Sequence, residues 1–139
     1  MKRYSFEKLE AWRVARQLRT RVYKLSEGFP VSERYNIPSQ IRRAAVSVIN
    51  NLAEGSGRAT AKDQAHYSVM AYGSTLEVFN LLFIASDEGY IEESVIEEFR
   101  PQVNQLTSLI NGLRKSQLQR ARSNGQLLQE PDELYGLPE

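Results

Sequence analysis

The sequence predicts an all-α protein of one domain, built from four helical segments. Apolar residues recur every three or four positions in each segment, which is the spacing of one face of an α-helix. Glycine and proline separate the segments, and 139 residues suffice for one domain with its own core. We therefore expect a helical domain over residues 1–122 and a mostly disordered tail over 123–139, which follows a Ser-Asn-Gly break.

The first two segments are bounded by residues that start or stop helices. The first runs from about residue 6 to 25, with Ser5 as the expected N-cap, and residues 28–30 (Gly-Phe-Pro) end it. The second runs from Pro38, which fits a first helical turn, to about Glu54. A glycine pair directly after this segment predicts a tight turn.

The third segment, residues 61–87, is long and apolar on nearly all sides between Val78 and Ala85. A helix of this kind is buried on most sides, so we expect a central position or an oligomer interface. Gly89 should end it, and the fourth segment then begins near Ile91. We expect Pro101 to kink or divide this last helix.

The composition excludes several classes of function. The chain has no cysteine and one histidine, His66, so thiolate and multi-histidine metal sites are excluded. It contains neither a phosphate-binding GxxxxGK[ST] loop nor a GxSxG elbow. Glu54 and Glu77 could act as an acid–base pair, but their arginine neighbours favour ion pairing. We expect no enzymatic activity, no cofactor, no metal and no membrane span, and the lack of a signal peptide predicts a cytoplasmic protein.

The charges are distributed unevenly along the chain. Residues 1–62 carry 13 basic and five acidic side chains, whereas residues 63–139 carry five basic and 12 acidic ones. Such a division indicates either a basic surface for a polyanion or attraction between two halves or two subunits. Arg42 lies on a different side of the second segment from Gln40, Ser47 and Asn51, so it is the better candidate for an outward contact. The candidate nucleic-acid contacts are Arg13, Arg16, Arg19, Lys24, Arg42 and Arg58.

A stripe of hydrogen-bonding side chains follows one side of the second segment, next to its apolar face. In one interpretation it forms a partly buried network, within or between subunits, in which Arg43 or Arg58 neutralises Glu54. In the other it is an exposed site whose arginines contact phosphates. We favour the network. Its expected members are Gln40, Arg43, Ser47, Asn51 and Glu54, with Ser74 and Glu77 from the third segment.

Several motifs carry a resemblance to one bacterial family. They are FEKLEAW at 6–12, FPVSE at 29–33, QIRRAAVS at 40–47, NLAEG at 51–55, GR at 57–58, GSTLE at 73–77 and GYI at 89–91. Together they resemble the four-helix bundle protein family, also called the 23S rRNA-intervening sequence protein family. The resemblance covers residues 5–115, and the chain departs from the family pattern at Ile49, where a proline is usual.

The resemblance implies an antiparallel up-down four-helix bundle that assembles into a homopentamer. The chain is also similar to the accessory variability determinant proteins of diversity-generating retroelements, whose basic pentamers bind nucleic acid and a reverse transcriptase. The function implied is a non-enzymatic oligomer that binds nucleic acid, RNA or DNA and in particular structured RNA, through a basic surface. The alternative is a structural or adaptor oligomer that binds another protein and has no nucleic-acid role.

Overall fold

A computed structural model describes residues 1–31 and 36–126. Within these ranges the chain forms a 3₁₀ turn, Ser5–Lys8, and then four α-helices with no β-strand. The short connection that we expect over residues 32–37 lies mostly outside the described residues, as does the part of the predicted tail from residue 127 onward. The helices are α1 (Glu10–Ser26), α2 (Ile37–Ser56), α3 (Ala61–Asp87) and α4 (Glu93–Ser123).

The four helices pack around one apolar core as a bundle. α2 packs against α3, α3 against α4, and α1 against both α2 and α4, so α1 and α3 lie diagonally opposite each other. α2 and α3 run antiparallel, because Ser47 meets Ser74 while Gly55 meets Tyr67. This alternation is the up-down arrangement of four-helix bundles. The fully buried side chains include Val14, Leu18, Ile41, Val48, Val78, Leu82, Leu106 and Ile110.

The start of α1 differs from the prediction. We expected a helix from residue 6 capped by Ser5, but residues 5–8 form a separate 3₁₀ turn and Leu9 is extended. Glu7 holds this turn by accepting a hydrogen bond from the Tyr4 backbone N–H at 2.7 Å. The turn brings the Phe6 ring edge-on to Trp12, with ring centroids 5.2 Å apart. The local bond and the ring contact together explain why α1 begins later than its apolar spacing suggests.

The structure tests the predicted end of α3 and the predicted effect of Pro101 on α4. Gly89 follows α3 with a φ of +78°, and the next backbone N–H, that of Tyr90, bonds the Ala85 carbonyl at 2.9 Å, so the predicted stop is confirmed. α4, by contrast, continues through Pro101 and is not divided. Pro101 is exposed and lies in the third turn, where the ring faces solvent. α3 is the one helix of the described ranges with the length and composition of a membrane span. Its packing between α2 and α4 accounts for part of that apolar content, since 39% of the apolar stretch is buried.

The two ends of the bundle carry opposite charge. The chain start, the α2–α3 connection and the end of α4 meet at one end, where Ser5 Oγ contacts the Ser56 carbonyl. Eight cations and three carboxylates lie there within residues 1–9, 54–63 and 115–126. At the other end, residues 24–31 and 84–98 contribute one cation, Lys24, and seven carboxylates. We call these the basic end (Lys2, Arg3, Lys8, Arg58, Lys62, Lys115, Arg120, Arg122) and the acidic end (Glu27, Asp87, Glu88, Glu92, Glu93, Glu97, Glu98).

Candidate nucleic-acid interface

A groove of about 530 Å³ runs along α1 where it meets α2. We call it the arginine groove. Trp12 from α1 and Ile49 from α2 are half-buried and supply its apolar surface. Arginines recur along α1 every three residues and so line the groove in succession. Its lining residues are Trp12, Arg13, Arg16, Gln17, Arg19, Thr20 and Ile49.

Two of these arginines are held by aromatic rings. The Arg16 guanidinium carbon lies 4.6 Å from the centroid of the Trp12 ring, and that of Arg19 lies 4.0 Å from Tyr23. Neither arginine has a carboxylate partner within the described residues. A ring beneath the plane of a guanidinium attracts its charge and orients it, and leaves the N–H edges free to donate. Arg16 and Arg19 therefore present positioned donors to an anion in the groove.

Arg13 is chemically different from its two neighbours. It forms an ion pair with Glu10, three residues earlier, and its Nε donates to Glu10 Oε2 at 3.1 Å. The hydrogen bond from Arg13 lowers the pKa of the Glu10 carboxyl, and the same bond raises the pKa of Arg13. The charge of Arg13 is thus locally balanced, so the uncompensated positive charge of the groove comes from Arg16 and Arg19.

Two further candidate contacts lie away from the groove. Lys24 is exposed near the end of α1, at the acidic end of the bundle. Arg58 is exposed at the basic end, with its guanidinium carbon 5.0 Å from the centroid of the Tyr67 ring. The predicted contacts therefore do not form a single surface.

Arg42 does not point outward as predicted. It is half-buried, its Nε donates to Ser26 Oγ at 2.7 Å, and its Nη2 reaches the Tyr23 carbonyl at 3.5 Å. Its guanidinium carbon also lies 4.9 Å from the Tyr23 ring centroid. These contacts bring a cation to the last turn of α1, whose carbonyl groups carry the negative end of the helix dipole. Arg42 therefore joins α2 to α1, and the expectation of an outward contact was wrong because α1 occupies that side.

The structure joins three of the seven residues of the polar stripe. The hydroxyl oxygens of Ser47 and Ser74 lie 2.9 Å apart, and Asn51 Nδ2 donates to Ser47 Oγ at 3.2 Å. Gln40 instead donates to Asn36 Oδ1 at 3.0 Å, on its own helix end. The remaining members are exposed, and among the described residues they form no ion pair within the chain: Arg43, Glu54 and Glu77.

Two arginines that the sequence analysis did not single out have structural roles. Arg21 donates to Gln102 Oε1 at 2.9 Å and to the Glu98 carbonyl at 3.2 Å, and so links α1 to α4. Arg114 is fully buried within α4. The burial of Arg114 could have been predicted from its spacing, because it lies four residues from both Ile110 and Leu118 on the buried face of α4.

Residues 1–31 and 36–126 contain no group of three His, Asp or Glu side chains close enough to hold a metal ion. His66 is exposed and contacts the Tyr67 ring edge-on, with centroids 6.2 Å apart. His66 does not line the arginine groove.

Comparison with known proteins identifies the family. The family model described as 23S rRNA-intervening sequence protein matches residues 7–112, which include α1, α2, α3 and most of α4. No curated protein shows significant similarity to the chain. The match covers well over half of the sequence and contains every residue that lines the arginine groove. The chain thus belongs to the 23S rRNA-intervening sequence protein family.

Proposed function

We propose that this protein is a non-enzymatic oligomer of the cytoplasm that binds nucleic acid, in particular structured RNA, through a basic surface. The observation that carries the proposal is the arginine groove, in which Arg16 and Arg19 are held by aromatic rings and have no carboxylate partner in the described chain. Guanidinium groups with free edges suit phosphate oxygens, which they can contact with two N–H donors at once.

The groove is suited to backbone contacts more than to base reading. Its donors are arginines, with Gln17 and Thr20 beside them, and such side chains make most contacts to phosphate and sugar. Contacts of this kind fix orientation and carry little sequence information. The affinity should therefore depend strongly on salt, since each phosphate that is neutralised releases counterions.

The proposal is tested by fluorescence anisotropy with a labelled, structured RNA at about 50 and 200 mM salt. We expect binding that weakens on the order of 10³-fold between these conditions if several phosphates are contacted. Arg16→Glu should weaken binding at the lower salt. Arg43→Glu is the matched control, because Arg43 is equally an exposed arginine but does not line the groove. Absence of binding at the lower salt, or equal loss in both variants, contradicts the proposal.

The oligomer is proposed from a second surface. The outer face of α3 leaves Leu76 46%, Phe83 40% and Ile84 38% exposed, which is unusual for large apolar side chains on one helix. A second copy covering this face would remove them from water. Because α1 lies diagonally across the bundle, the arginine groove would stay accessible. The family resemblance leads us to propose five copies in a ring, which would repeat the groove five-fold.

An adaptor role is the second candidate, and the same exposed face of α3 favours it. In this role, the outer face of α3 binds a different protein in place of a second copy. The resemblance stated above leads us to name a reverse transcriptase as an example of such a partner. This role needs no nucleic acid. It is preferred if RNA binding is absent and the purified chain is monomeric.

A further inference from the structure

A second concave site lies at the basic end, away from the arginine groove. It is a pocket of about 230 Å³ formed where the 3₁₀ turn, the end of α2, the start of α3 and the last third of α4 meet. No carboxylate lines it. We call it the end pocket; its lining residues are Ser5, Leu9, Ser56, Gln64, Leu113, Gln117 and Arg120.

The most buried polar side chain that lines the end pocket is that of Gln117, which is only 4% exposed. The buried hydroxyl of Ser68 donates to Gln117 Oε1 at 2.6 Å and so fixes the orientation of the amide. The Gln117 Nε2 group then has two N–H donors, and no atom of the described chain accepts from them. Because Ser68 orients this amide and Gln117 lines the pocket, its N–H groups are placed to donate to a ligand that carries an acceptor.

An acceptor group lies in the same pocket. Gln64 Nε2 donates to the Arg58 carbonyl at 3.1 Å, which leaves Gln64 Oε1 without a donor in the described chain. Leu9 and Leu113 are half-buried and add apolar surface. Arg120 is exposed at the rim. The pocket therefore combines a donor, an acceptor, apolar walls and a cation at its mouth, and the other cations of the basic end lie in the same segments of the chain that form it or next to them.

We propose that the end pocket receives the base of an unpaired nucleotide while the surrounding cations hold the adjoining phosphates. This inference rests on the proposed nucleic-acid binding and names the part of the nucleic acid that is recognised. A base has a polar edge that matches the two amides and apolar faces that match the leucines. A base within a duplex cannot enter such a pocket, because its edge is already paired and its faces are stacked. An isolated phosphate would gain nothing from the leucine walls.

The test compares two RNA probes with equal numbers of phosphates. One is a hairpin with an unpaired loop and the other is a blunt duplex. The full chain should bind the hairpin about tenfold more tightly than the duplex, which is the usual size of one base contact. DNA versions of both probes show whether the sugar contributes. The same preference in DNA indicates that the base alone is recognised.

The decisive variant replaces both members of the buried hydrogen bond, as Ser68→Ala with Gln117→Leu. Changing both partners leaves no orphaned polar group, so the fold is expected to be retained, which circular dichroism verifies. The double variant should lose the preference for the hairpin and keep the affinity for the duplex. Arg120→Ala should weaken hairpin binding more than Lys115→Ala, which removes an exposed cation of α4 that does not line the pocket.

The outcomes separate this inference from the proposed function. Tight, salt-dependent binding that is equal for hairpin and duplex overturns the end pocket and leaves the proposed function standing. A double variant that keeps its hairpin preference overturns the pocket as well. Absence of binding to either probe overturns both. A preference that disappears only in the pocket variants supports the inference.

Discussion

Gly55 on α2 lies directly against Tyr67 on α3: a Cβ built on Gly55 would stand 2.5 Å from the Tyr67 Cβ. Real Cβ atoms do not approach so closely, so the glycine sets how near the two helices can pack at this crossing. Tyr67 in turn carries the Arg58 guanidinium over its ring. The packing of two helices and the placement of one cation thus depend on the absence of a single methyl group.

Gly55→Ala should destabilise the bundle. The added methyl group has to push α2 and α3 apart, and overpacking of this kind costs about 1–3 kcal/mol in the free energy of unfolding. Urea denaturation measures it. Gly112→Ala is the control, since a Cβ there meets nothing within 4 Å, and it should stabilise the helix by about 0.5–1 kcal/mol. Equal effects of the two substitutions would show that the close approach is not maintained in solution.

Arg42→Met should lower stability and leave nucleic-acid binding nearly unchanged. The substitution removes the bonds to Ser26 and the Tyr23 carbonyl but keeps the apolar stem, so the loss is about 1–2 kcal/mol. Lys24→Met, at an exposed position, should change the free energy of unfolding by less than about 0.5 kcal/mol. The assignment fails if Arg42→Met weakens RNA binding as much as Arg16→Met does while the unfolding midpoint stays constant.

The ion pair of Glu97 with Arg100 should appear as a pH effect. Arg100 donates to both carboxylate oxygens, at 2.8 and 2.9 Å, and these bonds lower the pKa of Glu97. A lowered pKa in the folded state means that the pair contributes stability above the ordinary glutamate pKa of about 4.3, and that this contribution is lost as the pH falls through the folded value.

NMR titration of the carboxyl groups measures this directly. In Arg100→Gln the pKa of Glu97 should return towards its ordinary value, and the acid-range dependence of stability should flatten. The pKa of Glu10, which is lowered by Arg13, serves as the internal control and should not move. An unchanged Glu97 pKa in the variant would mean that the pair does not persist in solution.

Leu76→Glu should dissociate the proposed oligomer while the bundle stays folded. Leu76 is almost half exposed within one chain, so a carboxylate is tolerated there in a monomer but not between two covered faces. Sedimentation or light scattering gives the mass, and circular dichroism gives the helix content. Gln105→Glu adds the same charge to the exposed face of α4 and should not alter the mass. An unchanged mass in both variants would exclude the α3 face as the contact.

Much of the fold was predictable because its boundaries depend on local chemistry. The limits of α3 agree with the prediction of residues 61–87, since Thr60 Oγ1 accepts a hydrogen bond from the Asp63 N–H at 3.1 Å and Gly89 stops the helix. Such signals act within a few residues. The start of α1 was less predictable, because a contact between Phe6 and Trp12 competes with helix propagation.

The site was less predictable, because periodicity gives the direction of a side chain but not what lies there. Arg42 and Arg21 both point towards a neighbouring helix, so their charges serve packing. Arg16 and Arg19 instead line the arginine groove and lie against aromatic rings of α1. The order of the helices around the core decides between these outcomes, and that order depends on contacts between residues far apart in sequence. The ion pair of Glu10 with Arg13 could have been predicted from the sequence, because the two residues lie three positions apart on one helix.

Among the described residues, the opposite charges of the two bundle ends form an electric dipole along the bundle. α3 alone has 27 residues, so the ends lie about 40 Å apart, several times the screening length of about 8 Å at physiological salt. A polyanion that approaches therefore meets each end separately, and is drawn to one and repelled by the other before any contact forms. For the proposed nucleic-acid binding, we expect this charge difference to turn the basic end towards an approaching strand, and we expect added salt to weaken this orientation and so to lower the association rate.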